Sequence, residues 1–156
     1  MNREILFRGK RKYNNEWVYG DLIDNKFIFD KECDDYNAPY YDDELGIIDG
    51  NLLEVITKTI GQYTGLKDKN GKKIFEGDII RTYANYGYGK GVKKVEVISQ
   101  VIYKVDKDKT ISGLNTNNFS GFTTKQLNKQ DYTNVDWSMF FQCEVIGNIY
   151  ESKINE

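Results

Sequence analysis

A chain of 156 residues suits one domain or two small ones, and at this size it buries about 70% of its unfolded surface and folds without disulfides or metals. A net charge of −2 argues against non-specific nucleic-acid binding, which draws on a surplus of cations, and the absence of histidine removes the imidazole base, the Ser-His-Asp and Cys-His pairs and the usual transition-metal ligands. No apolar run approaches the roughly 20 residues of a membrane span, and Met1–Ile5 lacks the apolar core of a signal peptide, so a cytoplasmic location without membrane contact is expected.

Aromatic residues make up 14% of the chain, twelve of them tyrosine and eight phenylalanine, and such rings suit the half-buried face of a sheet. Ile5–Lys12 and Glu16–Ile23 flank Tyr13-Asn14-Asn15 and read as a β-hairpin with an Asn-rich turn. Arg3, Arg8, Lys10, Arg11 and Lys12 make it the most basic region; edge strands carry such charges to block unwanted pairing, and a phosphate or acidic-partner surface is the functional counterpart. Lys26–Phe29 is a short strand. The chain then turns acidic, with Asp30, Glu32, Asp34, Asp35, Asp42, Asp43, Glu44 and Asp49 against Lys31 alone. Its spacing fits no calcium loop, so a solvated acidic loop is the expectation over a cation site or an imitation of phosphates.

Leu52–Ile60 reads as a strand that joins the sheet near Val55, and the composition change before it places a boundary between an N-terminal β region, residues 1–56, and a C-terminal domain, residues 57–156. Asn70-Gly71 is a two-residue reversal signal, which makes Asp68–Lys73 a hairpin tip, and Gly77-Asp78 interrupts the following strand with a turn or bulge. Ala84–Gly91 reads as a mobile hairpin tip. Its glycines lack the spacing and the helix of a dinucleotide fingerprint, and its tyrosines suit partner contact. Val92–Val105 alternates, with Val95, Val97, Val101, Tyr103 and Val105 on one face and Lys94, Glu96, Gln100 and Lys104 on the other. A strand that long must bend, here near Ile98-Ser99, as strands of small barrels do. Thr123–Leu127 is expected to form a short helical turn and Met139–Tyr150 the last strand, with a bulge or turn at Gly147-Asn148. Cys33 and Cys143 stand alone and read as small apolar fillers.

Three stretches resemble the YopX family of phage and prophage proteins: Arg8-Gly9-Lys10 leading to Glu16–Asp21, the central run Gly61–Ile80, and Glu144–Glu151. The resemblance implies an all-β protein with an SH3-like small β-barrel in its C-terminal part, encoded by phages of low-GC Gram-positive bacteria. It supplies no catalytic residues, and Asn85–Val135 resembles the family only weakly.

Nothing in the sequence singles out one carboxylate pair for acid–base work, so no catalytic, cofactor or metal residue is assigned and a non-enzyme is expected. The favoured reading is a homo-oligomeric accessory protein that binds a host or phage protein through Tyr86, Tyr88, Lys90, Lys93 and Lys94. The alternative is a nucleic-acid-binding barrel that adds Arg81, Lys104 and Lys107 to those lysines and stacks bases on Tyr86 and Tyr88, provided the cations converge on one face.

Overall fold

A computed structural model describes residues 4–30, 52–86, 92–105, 120–128 and 142–151. This part is all-β: ten strands in two antiparallel sheets, one 3-10 turn at Thr57–Thr59, and no α-helix among the described residues. The chain divides into two compact units, Met1–Gly65 and Leu66–Glu156.

In the N-terminal unit, β1 (Phe7–Lys10) and β2 (Trp17–Ile23) form the expected hairpin, in register from Phe7 opposite Gly20 to Lys10 opposite Trp17. Asn15 takes a left-handed φ of 63°, and the Asn14 side chain accepts from the Glu16 amide at 3.1 Å, a local turn bond that Asn is built to make. Next come β3 (Phe27–Phe29) and β4 (Leu52–Glu54), giving the order β4-β3-β2-β1-β5, where β5 is Gly61–Lys67. Strand β5 runs across the division between units and is followed in its sheet by β6 (Lys73–Phe75). Val18, Ile28, Leu53 and Val55 form the core, with Phe7, Leu22 and Ile60 packed on it.

Two expectations are corrected here. The segment Leu52–Ile60 is not one strand: it leaves the ladder after a single bridge from Val55 to Arg11. The Thr59 hydroxyl donates to the Ile56 carbonyl at 2.6 Å and accepts from the Lys10 amide at 2.9 Å, so a threonine side chain replaces the ladder and the chain turns. The basic hairpin is also not an edge carrying solvated cations, because β1 lies between β2 and β5. Arg8, Lys10 and Arg11 are all buried, and the Trp17 ring lies 4.7 Å from the Arg8 guanidinium and 5.3 Å from the Lys10 ammonium. An indole face attracts a cation, and the aliphatic stems add packing.

Gly20 is required by space: a Cβ there would lie 1.9 Å from the Phe29 carbonyl oxygen.

In the C-terminal unit, β7 (Asp78–Tyr86), β8 (Lys93–Val105), β9 (Ser120–Gln126) and β10 (Glu144–Asn148) run in the order β10-β7-β8-β9. The alternation of β8 is realised in its middle, where Val97, Ser99 and Val101 are buried while Lys94 and Glu96 are exposed. Tyr103 departs from it: it remains 46% exposed and meets Phe122 edge-on at 5.2 Å. The N-terminal half of β8 pairs with β7 as far as Gln100, and its C-terminal half pairs with β9 from Ser99 onward. The strand thus changes partners beside the position expected to bend. Thr123–Leu127 is not a helical turn, since Thr123–Gln126 pairs with β8 residues Ser99–Ile102. The threonines are strand formers, and the ladder outweighs any local helical tendency. The β10 register shifts between Val145 and Gly147, which puts the irregularity at Ile146, just before the expected Gly147-Asn148. Neither sheet closes into a barrel among the described residues.

Ile74, Ile80, Val101 and Cys143 form the core of this unit, with Leu66 and Val145 against it. Cys143 therefore fills apolar space as expected, while Cys33 lies outside the described residues. Burial pushes the Cys143 thiol up to about 11, and the nearby Asp68 carboxylate adds to the effect. Because the thiolate is the reactive form, a Cys33→Ser variant is expected to react with iodoacetamide at pH 8 at least tenfold more slowly when native than in denaturant. Equal rates would show that the thiol is accessible.

Candidate functional site

The central stretch and the last described strand, β10, are joined through two buried carboxylates. Asp68 begins the tip of the β5–β6 hairpin and is only 6% exposed. Its Oδ1 accepts from the amides of Asn70 at 2.8 Å and Lys72 at 2.9 Å, and its Oδ2 accepts from the amide of Val145 in β10 at 3.0 Å, across 77 residues of sequence. The Lys69 amide also donates to the Cys143 carbonyl at 3.0 Å. One side chain therefore shapes the Asn-Gly reversal and joins it to β10.

Burial alone would raise the Asp68 carboxyl. The amides of Val145, Lys72 and Asn70 and the Lys72 ammonium outweigh it, so the group lies below its ordinary value of 3.8. A lowered native value means the native state holds its proton less tightly than the unfolded chain. The stabilisation is thus complete above the unfolded value of about 3.9 and is lost as pH falls through the native one. The Asp68→Asn variant is expected to be less stable at pH 7 by about 2 kcal/mol and to show a flatter loss of stability toward acid. Urea midpoints at pH 7, 4 and 3 that fall in parallel for both proteins would refute this.

Asp78 is 1% exposed. Its Oδ2 accepts from the Phe75 amide at 2.8 Å and its Oδ1 accepts from the Asn148 side-chain amide at 3.3 Å. Asn148 Oδ1 in turn accepts from the Tyr150 amide at 2.9 Å. Gly77 precedes Asp78 with φ 84°, its amide donating to Val101 and its carbonyl accepting from Ile149. A side chain at that φ would be strained, and its Cβ would also press the Asn148 amide at 3.3 Å. The expected turn at Gly77-Asp78 is therefore present, and it is the point where the end of the described chain is tied to the start of β7.

The outward face of the C-terminal sheet carries a charged and aromatic surface. Arg81 lies between the carboxylates of Glu96 at 3.5 Å and Glu144 at 3.9 Å, and Lys69 reaches Glu144 at 2.7 Å. That hydrogen bond and the positive charge of Lys69 hold Glu144 below the ordinary carboxylate value. Beside them, Tyr83 is 48% exposed, and the Lys94 ammonium sits 4.5 Å from its ring centroid.

Among the sequence-expected partner-contact residues, Tyr86 ends β7 and Lys93 begins β8, directly opposite each other, with Asn85 opposite Lys94. This confirms that β7 and β8 form a hairpin and shows that Ala84–Tyr86 belong to its strand. Lys93 and Lys94, being adjacent in a strand, point to opposite faces, so that pair does not converge as a nucleic-acid groove requires. Tyr88, Lys90 and Lys107 lie outside the described residues, as does the acidic segment beyond Asp30. Tyr83 was missed by the sequence reading, although its place one period before Asn85 in an alternating strand could have exposed it. The structural role of Asp68 was legible in principle, because an Asp two residues before Asn-Gly is placed to bond the turn amides.

The three stretches that carry the resemblance are thus places where the chain holds itself together: Arg8 and Lys10 under Trp17, Asp68 at a hairpin tip, and Asp78 against Asn148. The sequence model described as YopX protein matches residues 6–153. The chain belongs to the YopX family. No curated protein matches it. The match spans both units, including the middle, Asn85–Val135, whose resemblance to the family is weak. In this YopX chain the family stretches therefore coincide with side chains that fix turns and strand ends. No helix among the described residues is long and apolar enough to cross a membrane.

Proposed function

We propose that this YopX-family chain is a phage- or prophage-encoded, non-enzymatic protein-interaction module that self-associates and acts in the bacterial cytoplasm. The observation that carries the reading is the outward face of the C-terminal sheet, where exposed Tyr83 lies under Lys94 and Arg81 is set between Glu96 and Glu144. Tyrosine and arginine are enriched at protein interfaces, and an arginine held in place by two carboxylates is ordered before a partner arrives. The most buried acidic groups among the described residues, Asp68 and Asp78, accept hydrogen bonds from backbone amides, which suits a scaffold more than acid–base chemistry. The C-terminal unit is taken as SH3-like because its last strand lies beside the first strand of a three-stranded meander, the order from which such barrels close.

Light scattering on the eluted protein, with pull-down from host lysate and with added single-stranded nucleic acid, tests the reading. A defined oligomer that captures one protein, with capture reduced at least tenfold by Tyr83→Ala, is the expected result. A monomer shifted only by nucleic acid, with the shift lost as salt rises, would replace it with the nucleic-acid reading.

A further inference from the structure

We infer that the lysine-bearing tip of the β5–β6 hairpin binds the acidic segment Asp30–Asp49 of a second copy of the chain, an inference that rests on the self-association proposed above. The tip concentrates cations: Lys67, Lys69 and Lys72 are exposed and Lys73 is partly so. Asp68 is turned inward onto the amides of Asn70, Lys72 and Val145; its charge offsets Lys72 in part, and four lysines against one carboxylate leave the tip a surplus of cations. Lys69 has a partner in Glu144 at 2.7 Å, and Lys67 and Lys72 are exposed beside it. The same inward bonds fix the turn's backbone, so the lysines stand on an ordered support and the turn itself does not have to be ordered when a partner binds.

The complement to this tip is in the chain itself. Residues 30–49 hold eight carboxylates against Lys31. A polypeptide anion is favoured over nucleic acid because arginine, the usual phosphate reader, is confined to Arg3, Arg8, Arg11 and Arg81, and the whole chain is negative. Each copy carries one tip and one acidic segment, so two copies related by a two-fold axis make the contact twice. Exposed ion pairs are individually weak and salt-screened, but the paired arrangement makes the second contact intramolecular.

Charge exchange in the full chain tests this. The Lys67→Glu/Lys72→Glu protein and the Asp42→Lys/Asp43→Lys protein are compared with the unsubstituted chain by light scattering, with circular dichroism and thermal midpoints confirming that all three fold. Each variant alone is expected to self-associate about tenfold or more weakly, and an equimolar mixture of the two is expected to restore a complex that dissociates with rising salt. Unchanged oligomers in both variants would overturn the inference and leave self-association intact. Loss in each variant without restoration on mixing would overturn it in favour of contact within one chain. A monomeric unsubstituted chain would overturn both this inference and the self-association reading. A shift with single-stranded DNA that is abolished by Lys67→Glu/Lys72→Glu, in place of self-association, would assign the tip to nucleic acid.

Discussion

Asp78→Ala is expected to lower the unfolding free energy by about 3 kcal/mol, among the larger effects a single substitution produces. The carboxylate is 1% exposed, and its removal takes an acceptor from the Phe75 amide and from the Asn148 side chain, groups with little access to water. A buried donor that loses its acceptor costs more than the bond itself contributed. The Asn148→Ala variant removes one of these donors from the other side. If the two residues act as a pair, the double variant is less destabilised than the sum of the singles. Urea denaturation of the four proteins checks this, and strict additivity would show that Asp78 and Asn148 contribute independently.

Gly20→Ala is expected to cost roughly 3 kcal/mol or more, and to leave little folded protein if the N-terminal unit is marginal. The added methyl would lie 1.9 Å from the Phe29 carbonyl oxygen, far inside contact distance, and that oxygen belongs to backbone that cannot rotate away. Relief means moving β3 from β2 near the Asp21–Phe29 pair, which disturbs the core at Ile28. Gly147→Ala is the control. A Cβ there meets nothing within 4 Å, and the change is expected to stay within about 0.5 kcal/mol. Similar thermal midpoints for the two variants would show that β2 and β3 adjust more freely than their geometry implies.

Much of the fold was legible because its signals are local. The Asn-rich and Asn-Gly turns, the β1–β2 hairpin and the alternation of β8 each depend on residues within a few positions of one another. What escaped depends on partners far along the chain. Thr59 ends a strand because its hydroxyl meets Lys10, 49 residues away, and no property of Leu52–Ile60 alone reveals this. Thr123–Leu127 looked helical in isolation and became strand because β8 offers it a ladder. Arg8 and Lys10 looked like solvated edge charges, because the sequence does not show that β5 would lie on the other side of β1 or that Trp17 would cover them. The candidate surface was less legible still. The expected cluster at the end of the β7–β8 hairpin holds Lys93 and Lys94 on opposite sides, whereas Arg81, Glu96 and Glu144 meet only because β10 returns to pair with β7.

That return of β10 has a consequence for the order of events during synthesis. Asp68 waits for an amide 77 residues later and Asp78 for a side chain 70 residues later. The β5–β6 and β7–β8 hairpins leave the ribosome well before these partners, at synthesis rates of about 5–20 residues per second, so for several seconds the nascent chain carries both carboxylates without their distant partners. Contacts so far apart in sequence also slow the search for the native pairing. The residues from Glu144 to Glu151 thus act as a latch: a product truncated before Glu144 would have its hairpins in place but would lack the Val145 amide and the Asn148 side chain that fasten Asp68 and Asp78.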